Sequence, residues 1–327
     1  MNKHLKILIN YFFGPLIFLL LSWAIYRQLM MQPDLPARWL HLRNGLHSWK
    51  TWLVLLLAGV NWGLESEKWR LLIRNLQAFP FTKACQSVLA GCSITLFTPN
   101  RVGEYGGRIL FVNPENRLKA ISLNIAASIS QLLVTLIMGC LGLIFLRIHS
   151  QHTNPDLRIL PEIWSDAVLF ISVSITGLIL IFYLRIGFLV VQIKKMPFMK
   201  RAVKHISILE SLDNRLLGRI FSLSFLRYSV FIVQYILLLQ VMGVALDQLT
   251  CMLTIMVYYL LVTAAPSFGL IELPIRITAL WLLLKPFTPN ELGVGGAALA
   301  IWVINLALPA FIGSIFILGV KFFPETK

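Results

Sequence analysis

Apolar residues along this chain come in long charge-free blocks, not in the alternation of a half-buried strand or the one-sided stripe of a soluble helix. The blocks are Ile7–Tyr26, Ala84–Asn100, Ala120–Leu146, Ala167–Leu184, Tyr228–Leu246, Gln248–Ile271 and Leu292–Val320, with a shorter one at Thr51–Leu64. A helix crossing the hydrocarbon core needs roughly 20 mostly apolar residues. Most blocks meet or approach that length, and Thr51–Leu64 extends by a turn at each end, where Trp49 and Trp69 suit the interfaces. The pattern predicts an all-α, polytopic membrane protein forming a single transmembrane domain over 1–327.

Composition agrees. The chain is 57% hydrophobic and 13% charged, where soluble domains carry about a quarter charged residues. The first block is long for a signal-peptide core and lacks a small-x-small cleavage site, so it reads as a retained helix. Cys85, Cys92, Cys140 and Cys251 lie in apolar blocks without C-x-x-C spacing and read as packing residues. His149 and His152 stand on a polar stretch and form no metal constellation, so no metal or cofactor is expected. The net charge of +15 would suggest nucleic acid in a soluble protein. Here the accumulation of Lys and Arg on cytoplasmic loops explains it, and nucleic acid is not an expected partner.

Where the charges fall selects a topology. If every block crosses, the basic stretch 185–219, with Arg185, Lys194, Lys195, Lys200, Arg201, Lys204, Arg215 and Arg219, ends up outside. If 84–112 instead enters from the cytoplasm, breaks at Thr98–Asn100 and returns, that stretch is cytoplasmic. A second hairpin around 265–276 then enters from the outside. This arrangement of about seven full spans and two re-entrant hairpins places eighteen of the 29 Lys and Arg inside, seven outside and four (Arg101, Arg108, Arg227, Arg276) at or within the membrane. Both termini are then cytoplasmic, in a cell (inner) membrane. Segment 1–50 holds the first helix and an outer amphipathic helix over 27–50, with Leu35, Trp39, Leu42, Leu46 and Trp49 at helical spacing. A similar surface helix is expected within 197–217.

The two breaks resemble each other. "TPNRVGEYGGR" (98–108) and "APSFGLIELPIR" (265–276) each run from a small residue and proline to glycine, then to glutamate four before arginine. Glu104 and Glu272, like Arg108 and Arg276, are 168 apart. Blocks 51–146 and 220–320, joined by a connecting helix and basic segment over 147–219, then form an inverted-topology repeat, a plan shared by many transporters.

A charge at the bilayer centre costs about 3 kcal/mol on insertion scales. Glu104 with Arg108 and Glu272 with Arg276 have the i,i+4 spacing of helix ion pairs, and such pairs alone can staple half-helices together. Arg101 is then a surplus positive charge. With glycines 103, 106 and 107 freeing backbone amides, the breaks predict a pocket for an anionic group bearing an apolar body. The candidate substrate-binding residues are Arg101, Glu104, Arg108, Glu272 and Arg276, with Asn100 and Tyr105 as polar accessories. Glu65 and Glu67 read as interfacial charges paired with Lys68 and Arg70, outside the site.

The chain resembles the lysylphosphatidylglycerol synthase transmembrane family, flippase-like integral membrane domains. "ESEKWRLLI" (65–73), Pro99–Glu104 and "APSFGLIELP" (265–274) carry the likeness. The resemblance implies movement of a lipid between leaflets. The chain ends at "VKFFPETK" without the soluble synthase domain, so it implies translocation without synthesis. The expectation is a lipid flippase or transporter that binds an anionic phospholipid or polyprenyl-phosphate lipid, with a second copy or a lipid-modifying enzyme as further partners. The alternatives are a secondary transporter of a small soluble anion and a non-transporting membrane partner of such an enzyme. Enzyme activity is not expected: Asp34, Asp156, Asp166, Asp213 and Asp247 fall in loops or at helix ends, and no D-x-x-D occurs.

Overall fold

The computed structural model describes residues 23, 45, 47–96, 98, 102–152, 162–195, 206–264 and 272–318. All of the expected first span Ile7–Tyr26 but Trp23, most of the amphipathic segment 27–50, Asn100, Arg101 and residues 265–271 of the second break lie outside them. The described residues are all-helical, with no strand. In chain order the helices are α1 (Trp49–Ile73), α2 (Phe81–Thr95), α3 (Val102–Ile109), α4 (Arg117–His152), α5 (Glu162–Leu184), α6 (Ile186–Lys194), α7 (Asn214–Val241), α8 (Gln248–Ala264), α9 (Glu272–Leu284), α10 (Glu291–Trp302) and α11 (Leu308–Leu318). A π-turn, Val303–Ala307, joins the last two into one continuous rod.

Four described stretches are long and apolar enough to cross a membrane: Pro114–Ile148, Asp166–Leu184, Asn214–Val241 and Glu291–Leu318. α1 has 25 residues but carries Asn61, Glu65, Glu67 and Lys68 in its second half. The helices beside the two breaks are short. At 1.5 Å per residue, α2 and α8 reach about 22 and 25 Å, less than the roughly 30 Å hydrocarbon core.

Local chemistry sets the boundaries and moves several from where the apolar blocks put them. α2 ends at Thr95, before the block's own end at Asn100. α7 starts well upstream of the Tyr228–Leu246 block because Asp213 caps it, accepting the Leu216 N–H at 2.8 Å. It stops at Val241 because Gly243 turns left-handed (φ 72°) and Val244 N–H closes onto Leu239 C=O at 2.9 Å. Within the described part of 197–217 a 3-10 turn, Ser207–Ser211, precedes that cap, and residues 197–205 of the stretch expected to carry a surface helix lie outside the described residues. Trp69 is not an interfacial anchor. It is fully buried, and its indole N–H donates to Ser87 Oγ at 2.8 Å. Trp49 is exposed.

The packing centres on α1 against α7. α2 packs on α3 and α11, and α8 packs on α9 and α4. Glycine permits the closest of these approaches. A Cβ on Gly313 would lie 1.9 Å from Leu89 C=O, and one on Gly107 would lie 2.5 Å from Ala90 C=O. The second of these presses α3 flat against α2. α5 is apolar all round and largely exposed, touching the rest mainly through α4.

Candidate functional site

The site grows from an unusual helix face. Along α1 the buried positions include Val54, Ala58, Asn61, Glu65, Lys68 and Leu72, the 3-4 spacing of a core stripe with three polar residues in it. The stripe faces α7, which brings Ser224, Arg227 and Gln234. Charged groups on such a face are tolerated only if paired.

Glu65 is the hub of that pairing. One carboxylate oxygen accepts from Arg108 Nη2 at 2.6 Å, and the other from Lys68 Nζ at 2.7 Å and Arg227 Nη1 at 2.6 Å. Arg108 is 1% exposed and spends both terminal nitrogens inside the protein, on Glu65, on Glu104 and on Asn124 Oδ1 at 3.0 Å. Its guanidinium lies over the Trp69 ring at 5.4 Å. Ser87, which receives the Trp69 N–H, donates in turn to the Arg108 carbonyl at 2.8 Å.

From Arg227 a file of side-chain amides runs through the core. Arg227 Nε donates to Asn61 Oδ1 (2.7 Å), Asn61 Nδ2 to Asn305 Oδ1 (2.9 Å), Asn305 Nδ2 to Gln234 Oε1 (3.1 Å) and Gln234 Nε2 to the Val54 carbonyl (2.9 Å). Every bond points the same way, and arginine is the reason. A guanidinium only donates, so Asn61 must turn its oxygen toward Arg227 and pass the direction on. Asn305 stands in the π-turn, a geometry frequent at functional sites.

Beside this network lies a cavity of about 390 Å³. Its wall takes Glu104 from α3, Arg227 from α7, and Glu272 and Arg276 from α9, with Trp62 and Trp302 among its aromatic residues. Arg276 binds Glu272 through Nε and Nη2, at 2.8 and 2.7 Å. Residues just after both breaks therefore face one space. Among the candidates chosen from sequence, Glu104, Glu272 and Arg276 stand on its wall. Arg108 does not; it lies behind Glu104 as a buried cation whose two terminal nitrogens are engaged and whose Nε has no partner among the described residues. Tyr105 is also off the wall, its hydroxyl donating to Ser128 Oγ at 3.2 Å. Asn100 and Arg101 lie outside the described residues. The Gly103 amide is not free for an anion, because Thr98 Oγ1 accepts it at 2.6 Å. Gly103 and Gly107 of α3 serve close packing against α2, whereas a Cβ on Gly106 would meet nothing within 4 Å.

No known protein family, curated protein or solved structure matches the chain.

The arginines differ in what they leave available. Arg227 and Arg276 are 12% and 14% exposed. Arg227 is held between Trp62 and Phe231, at 5.3 and 5.5 Å. Its Nη2 and the Nη1 of Arg276 carry no bond to the described residues, so each keeps donors to offer. Across the described cluster four cations (Lys68, Arg108, Arg227, Arg276) meet three carboxylates (Glu65, Glu104, Glu272). The balance is one positive charge. Sequence reasoning missed Glu65 and Arg227. For Glu65 the available signal was the 3-4 stripe from Val54 to Leu72, which puts it on the buried face with Asn61 and Lys68. Glu67 and Arg70, by contrast, pair on the partly exposed face.

Proposed function

We propose that the chain is a membrane lipid transporter of the flippase type and that its cavity takes the phosphate of an anionic lipid headgroup. One observation carries the reading: two arginines with unspent donors, Arg227 and Arg276, share a cavity wall in a cluster with a surplus positive charge. Guanidinium forks suit phosphate oxygens. The cavity, at about 390 Å³, is at the small end of the 300–1,000 Å³ common for ligand pockets. It fits a headgroup and leaves the acyl chains to lipid.

In this reading Glu272 orients Arg276, and Glu65 with Asn61 orients Arg227, so both guanidiniums wait preorganised. Arg108 ties α3 to α1 and α4 and so sets where Glu104 stands. The packing supports an inverted repeat. Exchanging α1 with α7, α2 with α8, α3 with α9, and α4 with the α10–α11 rod turns each contact among these helices into another that exists: α2 on α11 becomes α8 on α4, and α1 on α2 becomes α7 on α8. Both α2–α11 and α4–α8 close on glycine, through Gly313 against Leu89 and Gly139 against Leu260. Re-entrant hairpins entering from opposite faces, cytoplasmic termini in the inner membrane and kinship with the lysylphosphatidylglycerol synthase transmembrane family belong to the same proposal.

The test is translocation of a fluorescent phosphatidylglycerol in proteoliposomes, read by chemical quenching of the outer leaflet. The wild-type chain brings inner-leaflet label within reach of the quencher, and Arg276→Gln slows this at least about tenfold, the cost of one charge-assisted contact. Equal rates in variant and wild type would overturn the proposal. Translocation of inorganic phosphate but not lipid would instead favour the small-anion transporter, which the cavity's modest volume also admits.

A further inference from the structure

Phosphate contacts leave part of the wall unexplained. Trp62 Nε1, Trp302 Nε1 and the Tyr228 hydroxyl are buried and have no hydrogen-bond partner among the described residues, and neither has Gln131 Oε1. All four side chains belong to the cavity wall. Buried groups of this kind are rare in folded proteins, and each carries an unrecovered desolvation cost. Four around one cavity point to something that enters it.

Their chemistry restricts what that is. An indole N–H can only donate, so Trp62 and Trp302 call for an acceptor. Gln131 spends its amide nitrogen on the Ser224 carbonyl at 3.5 Å, so its oxygen calls for a donor. Glu104 adds another acceptor, because among the described residues only its Oε1 is engaged, by Arg108. A phosphate offers acceptors alone and leaves Gln131 and Glu104 unmet. An ammonium offers donors alone and leaves both indoles unmet. A hydroxyl both donates and accepts, and several hydroxyls on one small frame answer the whole set.

Building on the lipid-transport reading, we infer that the headgroup is a polyol or sugar joined to lipid through a phosphodiester. Arg227 and Arg276 hold the phosphate, and the hydroxyls reach Trp62, Trp302, Gln131 and Glu104. A site that hydrogen-bonds hydroxyls rejects analogues lacking them strongly, because its buried polar groups are then left unpaired.

The experiment is competition binding to the purified chain by native mass spectrometry, using phosphatidylinositol and phosphatidylmethanol of identical acyl chains. Both are singly charged diesters, and only the first carries free hydroxyls. The expected result is a preference for phosphatidylinositol of about tenfold or more, which Trp302→Phe and Gln131→Leu each cut several-fold while phosphatidylmethanol binding holds. The two substitutions sit on different helices, and the wild-type ratio decides the matter even if one variant misfolds. Equal binding of the two lipids, both above phosphatidylcholine, would overturn the hydroxyl subsite and leave the phosphate site standing. Phosphatidylethanolamine displacing phosphatidylinositol would overturn it in favour of an ammonium at Glu104. If neither anionic lipid exceeds phosphatidylcholine, the transport reading fails as well.

Discussion

Replacing Glu65 by glutamine removes the one carboxylate that three cations share. Lys68, Arg108 and Arg227 all bond it within 2.7 Å, and Lys68 and Arg108 are 2% and 1% exposed, so water cannot take its place. Breaking a single buried ion pair costs about 3–5 kcal/mol, because the orphaned charge stays buried. With three cations released at once, the upper part of that range applies. Glu67→Gln is the internal control. It breaks an ion pair of the same i,i+3 spacing on the same helix, with side chains 30% and 38% exposed, and such pairs are worth about 0–1 kcal/mol. Melting followed by size-exclusion chromatography in detergent should place Glu65→Gln on the order of 10 °C below wild type. Glu67→Gln should stay within about 2 °C of it. Adding Lys68→Met to Glu65→Gln removes one stranded cation and should recover part of the loss, a coupling that independent sites would not show. Equal melting of the two single variants would refute the reasoning, and so would a double variant worse than the sum of its parts.

The geometry sets three further outcomes. Gly313→Val puts a side chain against the Leu89 carbonyl, where even a Cβ would come to 1.9 Å. It should cost about 1–3 kcal/mol or more, whereas Gly106→Ala, with nothing within 4 Å, should be neutral or gain up to about 1 kcal/mol in the same melting assay. Asn305→Ala strands Asn61 Nδ2 and Gln234 Oε1 and should cost about 1–3 kcal/mol per orphaned group. Asn305→Asp should be no better, since a carboxylate has no N–H to give Gln234. The Asp247 carboxyl is held below its ordinary value, first by the Thr250 backbone N–H and also by the Thr250 hydroxyl. A depressed carboxylate stabilises the fold above its ordinary pKa of about 4 and loses that contribution as pH falls through the lowered value. The stability gap between wild type and Asp247→Ala should therefore shrink between pH 7 and pH 3, measured by the same melting.

Much of this arrangement is legible in the sequence, and the parts that are not have physical reasons. Charge-free blocks announce the helical class because apolar length is a local property, visible without knowing any partner. The i,i+4 spacing of Glu104 with Arg108 and of Glu272 with Arg276 is also local, and both pairs form. Glu65 misleads because its local partner is real: Lys68 does pair with it, just as Arg70 pairs with Glu67. The two glutamates differ in contact with Arg108 and Arg227, which stand 43 and 162 residues away and which only tertiary packing delivers. Arg108 misleads in the opposite sense. Its position beside a break suggests a ligand contact, yet the approach of α3 to α2 through Gly107 turns its side chain into the core. Helix ends shift for similarly small reasons: the Asp213 cap draws α7 upstream, and Gly243 stops it short.

The central claim is that Arg227 and Arg276 together hold a lipid phosphate. A density map of the chain in nanodiscs containing phosphatidylglycerol tests it most directly. The account predicts a phosphate peak within about 4 Å of both guanidiniums, at charge-assisted hydrogen-bonding range, with acyl density leaving the cavity toward the bilayer. A cavity empty of phosphate, with ordered lipid only on the outer helix faces, would contradict it.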